Sequence, residues 1–331
     1  MNSPYTYLLP EDRIAQRPVH PQDEAKLLVI DRKSGVITDS VFKALPQFLF
    51  EGDTLVFNNT KVRAARLFGV LENTKKEIEL FLEEDCLEDI WVCFGKPLKK
   101  LPPKTKIYFS ENFYAESIER VGERRIKVKF FSLSEKSVVE ELQHFSLMPI
   151  PPYIRGGKAD KEDVIDYQPI FAKSGNSIAS PTASLHFTDA LLKNLAAKKI
   201  TNEYVTLELG ASSIFALEGA PPAGEVAHVD SNTLTRLKNS KRVIGVGTTV
   251  VRALESCSNK EGYKGETSLF IQPGFSFSWI NCLITNFHQP GTTHLLLVEA
   301  FLGRELLEKA YAHALNNNYR FLSYGDGMLI V

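Results

Sequence analysis

Apolar and polar positions along this chain change their rhythm twice, and each change marks a different kind of structure. Residues 27–31 form an apolar run, Lys33-Ser34-Gly35 a turn and 36–42 a second extended stretch. Residues 43–50 then read as a short helix, and Glu51-Gly52-Asp53 turns into a strand over 54–58. From about Arg66 the pattern becomes period two. Short strands are predicted over 77–82, 90–94, 106–109, 113–121 and 125–131, the last two joined by a Gly122-Glu123 hairpin signal. Evenly spaced strands without helices between them predict a small antiparallel barrel or sandwich.

After Pro149, Pro151 and Pro152 the period lengthens again. Helical spacing over 186–199, with Thr188 placed to cap it, precedes a strand over 203–209 and helical residues at 234–238. A strand over 243–246 feeds a helix over 250–257. Strands at 268–271 and 280–284 follow, then a long helical region over 293–315. Alternation of this kind predicts a largely parallel sheet, open or curled into a barrel. The simplest architecture is a discontinuous α/β main domain, residues 1–65 and 150–331, with an all-β insert over 66–149.

Composition narrows the function classes. The chain has 331 residues, 44% of them hydrophobic and 24% charged, ordinary for a soluble protein of about two domains. No apolar run is long enough to span a bilayer and no signal peptide is recognisable, so a cytoplasmic location is expected. Cys86, Cys93, Cys257 and Cys282 lack paired spacing, and the seven histidines form no HExxH or HxH pattern, so no metal is expected. A net charge of −1 argues against indiscriminate coating of nucleic acid. Local clusters (Lys96, Lys99, Lys100, Lys104, Lys106; Arg120, Arg124, Arg125, Lys127, Lys129) leave RNA contact open beside the plainer reading of solvated faces.

Candidate chemistry gathers at strand-to-helix junctions. In residues 284–303 a strand runs into a polar turn with Asn286 and His288, a Pro290-Gly291 breaker, then Thr292 or Thr293 as cap of an apolar helix. Such a junction offers unpaired N–H groups and a positive dipole end to a small anionic ligand. Gly245-Val246-Gly247-Thr248-Thr249 is a second junction, without the third glycine of a dinucleotide fingerprint and without a Gly-Lys-Ser/Thr. Arg252, one turn later, is placed either to clamp a carboxylate or phosphate or to make an ion pair. Pro181 to Thr188 carries Thr182 and His186, read as a capped helix start with a packed histidine or as a pocket with His186 as proton carrier. Residues 319–328, aromatic and turn-rich, either close a core or stack a base. No nucleophile elbow or spaced carboxylate pair stands out.

Together these segments resemble the S-adenosylmethionine:tRNA ribosyltransferase-isomerase family of the queuosine pathway. The matching pieces are Ile14-Ala15-Gln16-Arg17-Pro18, Gly52 to Thr60 followed by Ala65-Arg66-Leu67-Phe68-Gly69, and Pro151-Pro152-Tyr153-Ile154. They continue with Tyr167-Gln168 and residues 181–188, 246–255, 269–274, 285–288 and 323–326, in the family's order. The resemblance implies a distorted α/β barrel-like main domain with an inserted small antiparallel β-barrel. It also implies transfer and isomerisation of the ribosyl part of S-adenosylmethionine onto 7-aminomethyl-7-deazaguanine at the tRNA wobble position, releasing adenine and methionine. Acid–base groups suffice for that chemistry, so no metal is implied. The expected partners are S-adenosylmethionine and the tRNA anticodon loop, met by a monomer. By analogy His186 and His288 would transfer protons, while Thr182, Arg252, Asn286 and Asp326 would bind substrate.

Several departures fall inside the family's motifs. Its Leu-His-Val-Gly-x-Gly-Thr-Phe stands here as Leu207-Glu208-Leu209-Gly210-Ala211-Ser212-Ser213-Ile214. Of its His-x-Met-His-Ser-Glu only His228 and an acid remain in Glu225 to Asp230, two expected arginines are Gln22 and Lys26, and a small residue is Glu299. Glu208 and Glu299 add charge that would either favour a sulfonium or repel RNA, according to distance. A diverged paralogue that binds another nucleoside or RNA, its transfer changed or lost, is the alternative. A non-catalytic RNA-binding protein would keep its basic patches beside a broken pocket.

Overall fold

The six residues Asp53–Asn58 are all buried, the mark of a strand covered on both faces. In the computed structural model, which describes residues 5–98, 101–214, 224–257 and 261–331, this strand lies inside a nine-stranded mixed sheet. In spatial order the strands are Tyr263–Thr267, Glu225–Val229, Thr201–Leu207, Asp53–Asn58, Arg242–Val246, Cys282–Asn286, Gly327–Ile330, Lys26–Ile30 and Ile37–Val41. The four central strands from Thr201–Leu207 to Cys282–Asn286 are mutually parallel. Gly327–Ile330 runs antiparallel to Cys282–Asn286 and parallel to Lys26–Ile30, which joins the two ends of the chain in one sheet. Leu27, Phe42, Leu55, Phe57, Phe187, Leu191, Ile244, Ile284 and Leu329 share its core. Burial of each such side chain stabilises by roughly 1.5–3 kcal/mol.

The chain divides into two compact units, one of residues 1–62, 151–158 and 165–331, the other of 63–150 and 159–164. The second holds a closed six-stranded antiparallel barrel, in the order Arg125–Ser132, Ile90–Lys96, Glu77–Asp85, Arg66–Leu71, Lys106–Tyr108, Phe113–Val121. Period two does its work here: Phe113, Ala115 and Ser117 are buried, as are Ile126, Val128 and Phe130 opposite them. Phe113 packs between Phe130 and Phe145, the latter on a helix, Val138–Phe145, that a Ser137/Glu140 capping box starts. The fold is thus α/β with a closed barrel, as the strand pattern predicts.

Some element boundaries differ from the pattern. The long helix expected over 293–315 is two helices, Thr293–Leu302 and Arg304–Asn316, because Gly303 sits at φ 84° and ψ 151°, which is not helical. The helix expected from His186 starts at Asp189, since Thr188 is extended and its hydroxyl accepts from the Leu191 N–H. His186 instead ends a 3₁₀ turn, Thr182–His186. Residues 43–50 yield only a 3₁₀ turn, Phe42–Gln47, with Pro46 inside it. The strand expected at 268–271 lies earlier, at Tyr263–Thr267. Among the described residues no helix is long and apolar enough to cross a membrane.

Candidate active site

Three central strands deliver the candidate site at their C-terminal ends, where parallel sheets bind ligands. Leu209 follows Thr201–Leu207, Gly247-Thr248-Thr249 follows Arg242–Val246, and Asn286 to Gln289 ends and follows Cys282–Asn286. With Ser180 to Ala183, Tyr153 and Tyr167 they enclose about 820 Å³, open solvent included. Two helices begin at this wall, Thr248–Glu255 and Thr293–Leu302, and Thr248, Thr249, Thr292 and His294 line it. Thr292 does not cap its helix as expected. Its hydroxyl donates to the Gln289 carbonyl at 2.8 Å instead.

Among the described residues the lining contains no Asp, Glu, Lys or Arg. Its titratable groups besides the two tyrosines are His288 and His294, whose rings stack at 5.2 Å between centroids. Burial, then proximity to His294, holds His288 well below the ordinary imidazole range. Burial, then the nearby Arg252, lowers His294 to about 4. Both are therefore neutral at pH 7. Nε2 of His288 lies 2.8 Å from the Thr285 hydroxyl, the His288 N–H donates to the Tyr311 hydroxyl, and its carbonyl accepts from Tyr7. Asn286 is only 3% exposed. Its Nδ2 donates to the Leu322 carbonyl at 3.0 Å, and its Oδ1 has no hydrogen-bond partner. Ser180 Oγ and Thr249 Oγ1 are likewise buried without one.

Of the residues singled out from sequence, Thr182, Asn286 and His288 line this cavity, and His186, Arg252 and Asp326 do not. His186 stacks on Phe42 at 4.0 Å and lines a separate small pocket with Pro18, Gln22 and Tyr324; Ser323 lines both. Burial first, then Arg320, lowers it to about 3; Asn286 counters them, but no hydrogen bond of ordinary geometry closes on His186 Nε2. Arg252 is committed to a buried ion pair with Glu225, and its Nε donates to the Leu269 carbonyl. Asp326 accepts from the Lys26 and Arg320 backbone N–H groups at 2.9 and 2.7 Å, tying the 320–326 turn to a strand. Sequence reasoning passed over Ser180 and His294 as site residues, while Thr285 lies in the turn it singled out. His294 had a legible signal, a second histidine across the Pro290-Gly291 breaker from His288.

Neither of the two added acids lines the cavity. Glu299 is held by Arg304, whose Nε and Nη2 lie 3.0 and 2.9 Å from its carboxylate oxygens. Glu208 is half-buried on the segment leaving Thr201–Leu207, with its N–H on the Val226 carbonyl. The departure that does reach the lining is Ser213-Ile214, and Ser213 Oγ donates to Glu225. The basic clusters are partly neutralised: Arg125 pairs with Glu83 at 2.5 Å and Lys127 with Glu119 at 3.8 Å. Lys99 and Lys100 lie outside the described residues. Among those residues no three His, Cys, Asp or Glu side chains are grouped to hold a metal ion.

A family model described as queuosine biosynthesis protein matches residues 2–330. An S-adenosylmethionine:tRNA ribosyltransferase-isomerase of Magnetococcus marinus is 41% identical, over 99% of this chain and 93% of its own. One of Aquifex aeolicus is 40% identical, over 99% and 98%. Among solved structures, an S-adenosylmethionine tRNA ribosyltransferase from Thermotoga maritima aligns over 99% of both chains, at 31% identity and a TM-score of 0.57.

Proposed function

The chain belongs to the queuosine biosynthesis protein family of S-adenosylmethionine:tRNA ribosyltransferase-isomerases, and on that premise we propose the reaction it performs. It transfers the ribosyl part of S-adenosylmethionine to 7-aminomethyl-7-deazaguanine at the tRNA wobble position. Isomerisation gives epoxyqueuosine, and adenine and methionine leave. The observation that carries this reading is the cavity at the strand ends, uncharged and holding two stacked neutral imidazoles. Three buried polar atoms without partners, on Ser180, Thr249 and Asn286, fit a ligand rich in hydroxyls and ring nitrogens.

The sulfonium acidifies the ribose C5′ protons, so the protein's first task is to accept one. His288 is the group placed for it: neutral, in the lining, and with its ring oriented through Nε2 by Thr285. An unusually low pKa makes a weak base in the empty site. An anionic ligand group arriving nearby raises it toward the working range. Tyr153, Tyr167 and Phe287 supply aromatic faces for the sulfonium or for a stacked base. Thr182 and Asn286 contact substrate, His186 packs on Phe42 outside the lining, and Arg252 and Asp326 act by holding the surrounding turns. Glu208 and Glu299, outside the lining, give no support to a reading in which added charge has abolished transfer.

Single-turnover adenine release tests the assignment of His288. His288→Ala should slow release by roughly 10²–10⁴-fold while S-adenosylmethionine affinity changes only a few-fold. An unchanged rate would remove His288 from the chemistry.

A further inference from the structure

S-adenosylmethionine carries an α-carboxylate as well as a sulfonium, and among the described residues the lining offers no lysine or arginine to receive it. Arg252, on the helix that follows the Gly247 turn, is paired with buried Glu225. His288 and His294 are neutral at pH 7. Positive potential must then come from helix ends, of which two reach the cavity. At the helix Thr293–Leu302 the flanking hydroxyl of Thr292 is spent on the Gln289 carbonyl. Neither helix is capped by a side chain; at the helix Thr248–Glu255, Gly247, at φ 96°, turns the chain so that Thr248 and Thr249 line the cavity. Beside it stand two buried hydroxyls without partners, Thr249 Oγ1 and Ser180 Oγ, the latter on a residue only 6% exposed. A Cβ at Gly247 would lie 3.6 Å from both Ala183 Cβ and Thr249 Oγ1, so Ala183 lies against this turn, and Ser180 lines the same cavity.

We propose that the first turn of the helix Thr248–Glu255, with Thr249 Oγ1 and Ser180 Oγ as added donors, is the carboxylate subsite for the methionine end of S-adenosylmethionine. The inference rests on the reading of the cavity as the S-adenosylmethionine site. Free backbone N–H groups supply the field, and the hydroxyls supply directed bonds without a cation beside the sulfonium. Keeping guanidinium and ammonium groups out matters, because a cation there would oppose binding of a ligand that is itself positive.

The test is a binding cycle by calorimetry, with S-adenosylmethionine and its decarboxylated analogue against wild type, Thr249→Val and Ser180→Ala. Wild type should prefer the carboxylate-bearing ligand by roughly 10–100-fold, the worth of hydrogen bonds to a charged group. Thr249→Val should lose most of that preference, and Ser180→Ala part of it, with little change toward the analogue. Unfolding midpoints of the free variants should be unchanged or raised, since each hydroxyl is unpartnered in the free protein. Equal weakening toward both ligands, or none, would overturn the subsite. So would weakened tRNA binding with an intact ligand preference, which would make the anion an RNA phosphate. Wild type that fails to bind S-adenosylmethionine at all would instead sink the underlying reading of the cavity.

Discussion

Three imidazoles, buried His186 and the half-buried His288 and His294, share one physical state, neutrality imposed mainly by desolvation. At His186, whose pKa falls to about 3, the consequence for stability has a definite sign. Above about pH 6.5 both the folded and the unfolded ring are neutral. As pH falls from 6.5 toward 3, the unfolded chain takes up a proton that the folded one refuses, and stability is lost. At ~1.4 kcal/mol per unit this amounts to about 2 kcal/mol by pH 5. Urea unfolding at pH 7.5 and 5 should therefore show a pH-dependent loss that shrinks by roughly 1–2 kcal/mol in His186→Gln. An equal loss in both proteins would mean that His186 is not held neutral. Sequence gave no means of separating this packed ring from a proton carrier, because both readings place a histidine before a helix. His288 was legible through its Pro-Gly turn; Ser180 carried no signal, its importance arising only from an unmatched hydroxyl in a cavity wall.

Elements were most legible where the period was long and clean. Barrel strands such as Arg125–Ser132 and the cap at Thr188 could be read directly. Boundaries failed where one residue overrode the pattern, as Gly303 does by splitting an apolar helical run. Arg252 shows a harder limit. Its position one turn into the helix Thr248–Glu255 suits a ligand clamp equally well, and only the fold brings Glu225 of a distant strand to it. That ion pair bridges helix and strand with both side chains nearly buried, 11% and 4% exposed. Arg252→Ala should thus cost about 3–5 kcal/mol by urea denaturation, because Glu225 is left buried and uncompensated. Lost ligand affinity at unchanged stability would instead restore the clamp. The same Glu225 accepts from Ser213 in the cavity lining, so the family departure at 212–214 is tied into this bridge.

At the scale of the whole molecule, the proposed site lies where central parallel strands end, and among the described residues no Asp, Glu, Lys or Arg lines it. The net charge of −1 supplies no overall field to attract RNA, and two of the clustered barrel cations, Arg125 and Lys127, are paired with acids. Family membership was legible from end to end because its motifs fall on strand ends and turns, where backbone geometry and ligand contact both restrict the residues. Placement of the two added acids outside the cavity was not legible, since it depends on which way a half-buried segment and a helix face. The central claim is tested most directly by mixing the protein with S-adenosylmethionine and tRNA carrying 7-aminomethyl-7-deazaguanine, then quantifying adenine, methionine and tRNA mass. Adenine and methionine should appear in equal amounts with the gain of the ribosyl-derived group on tRNA, and neither should appear with tRNA bearing guanine. Binding of both substrates without adenine release, beside an active relative, would contradict the account.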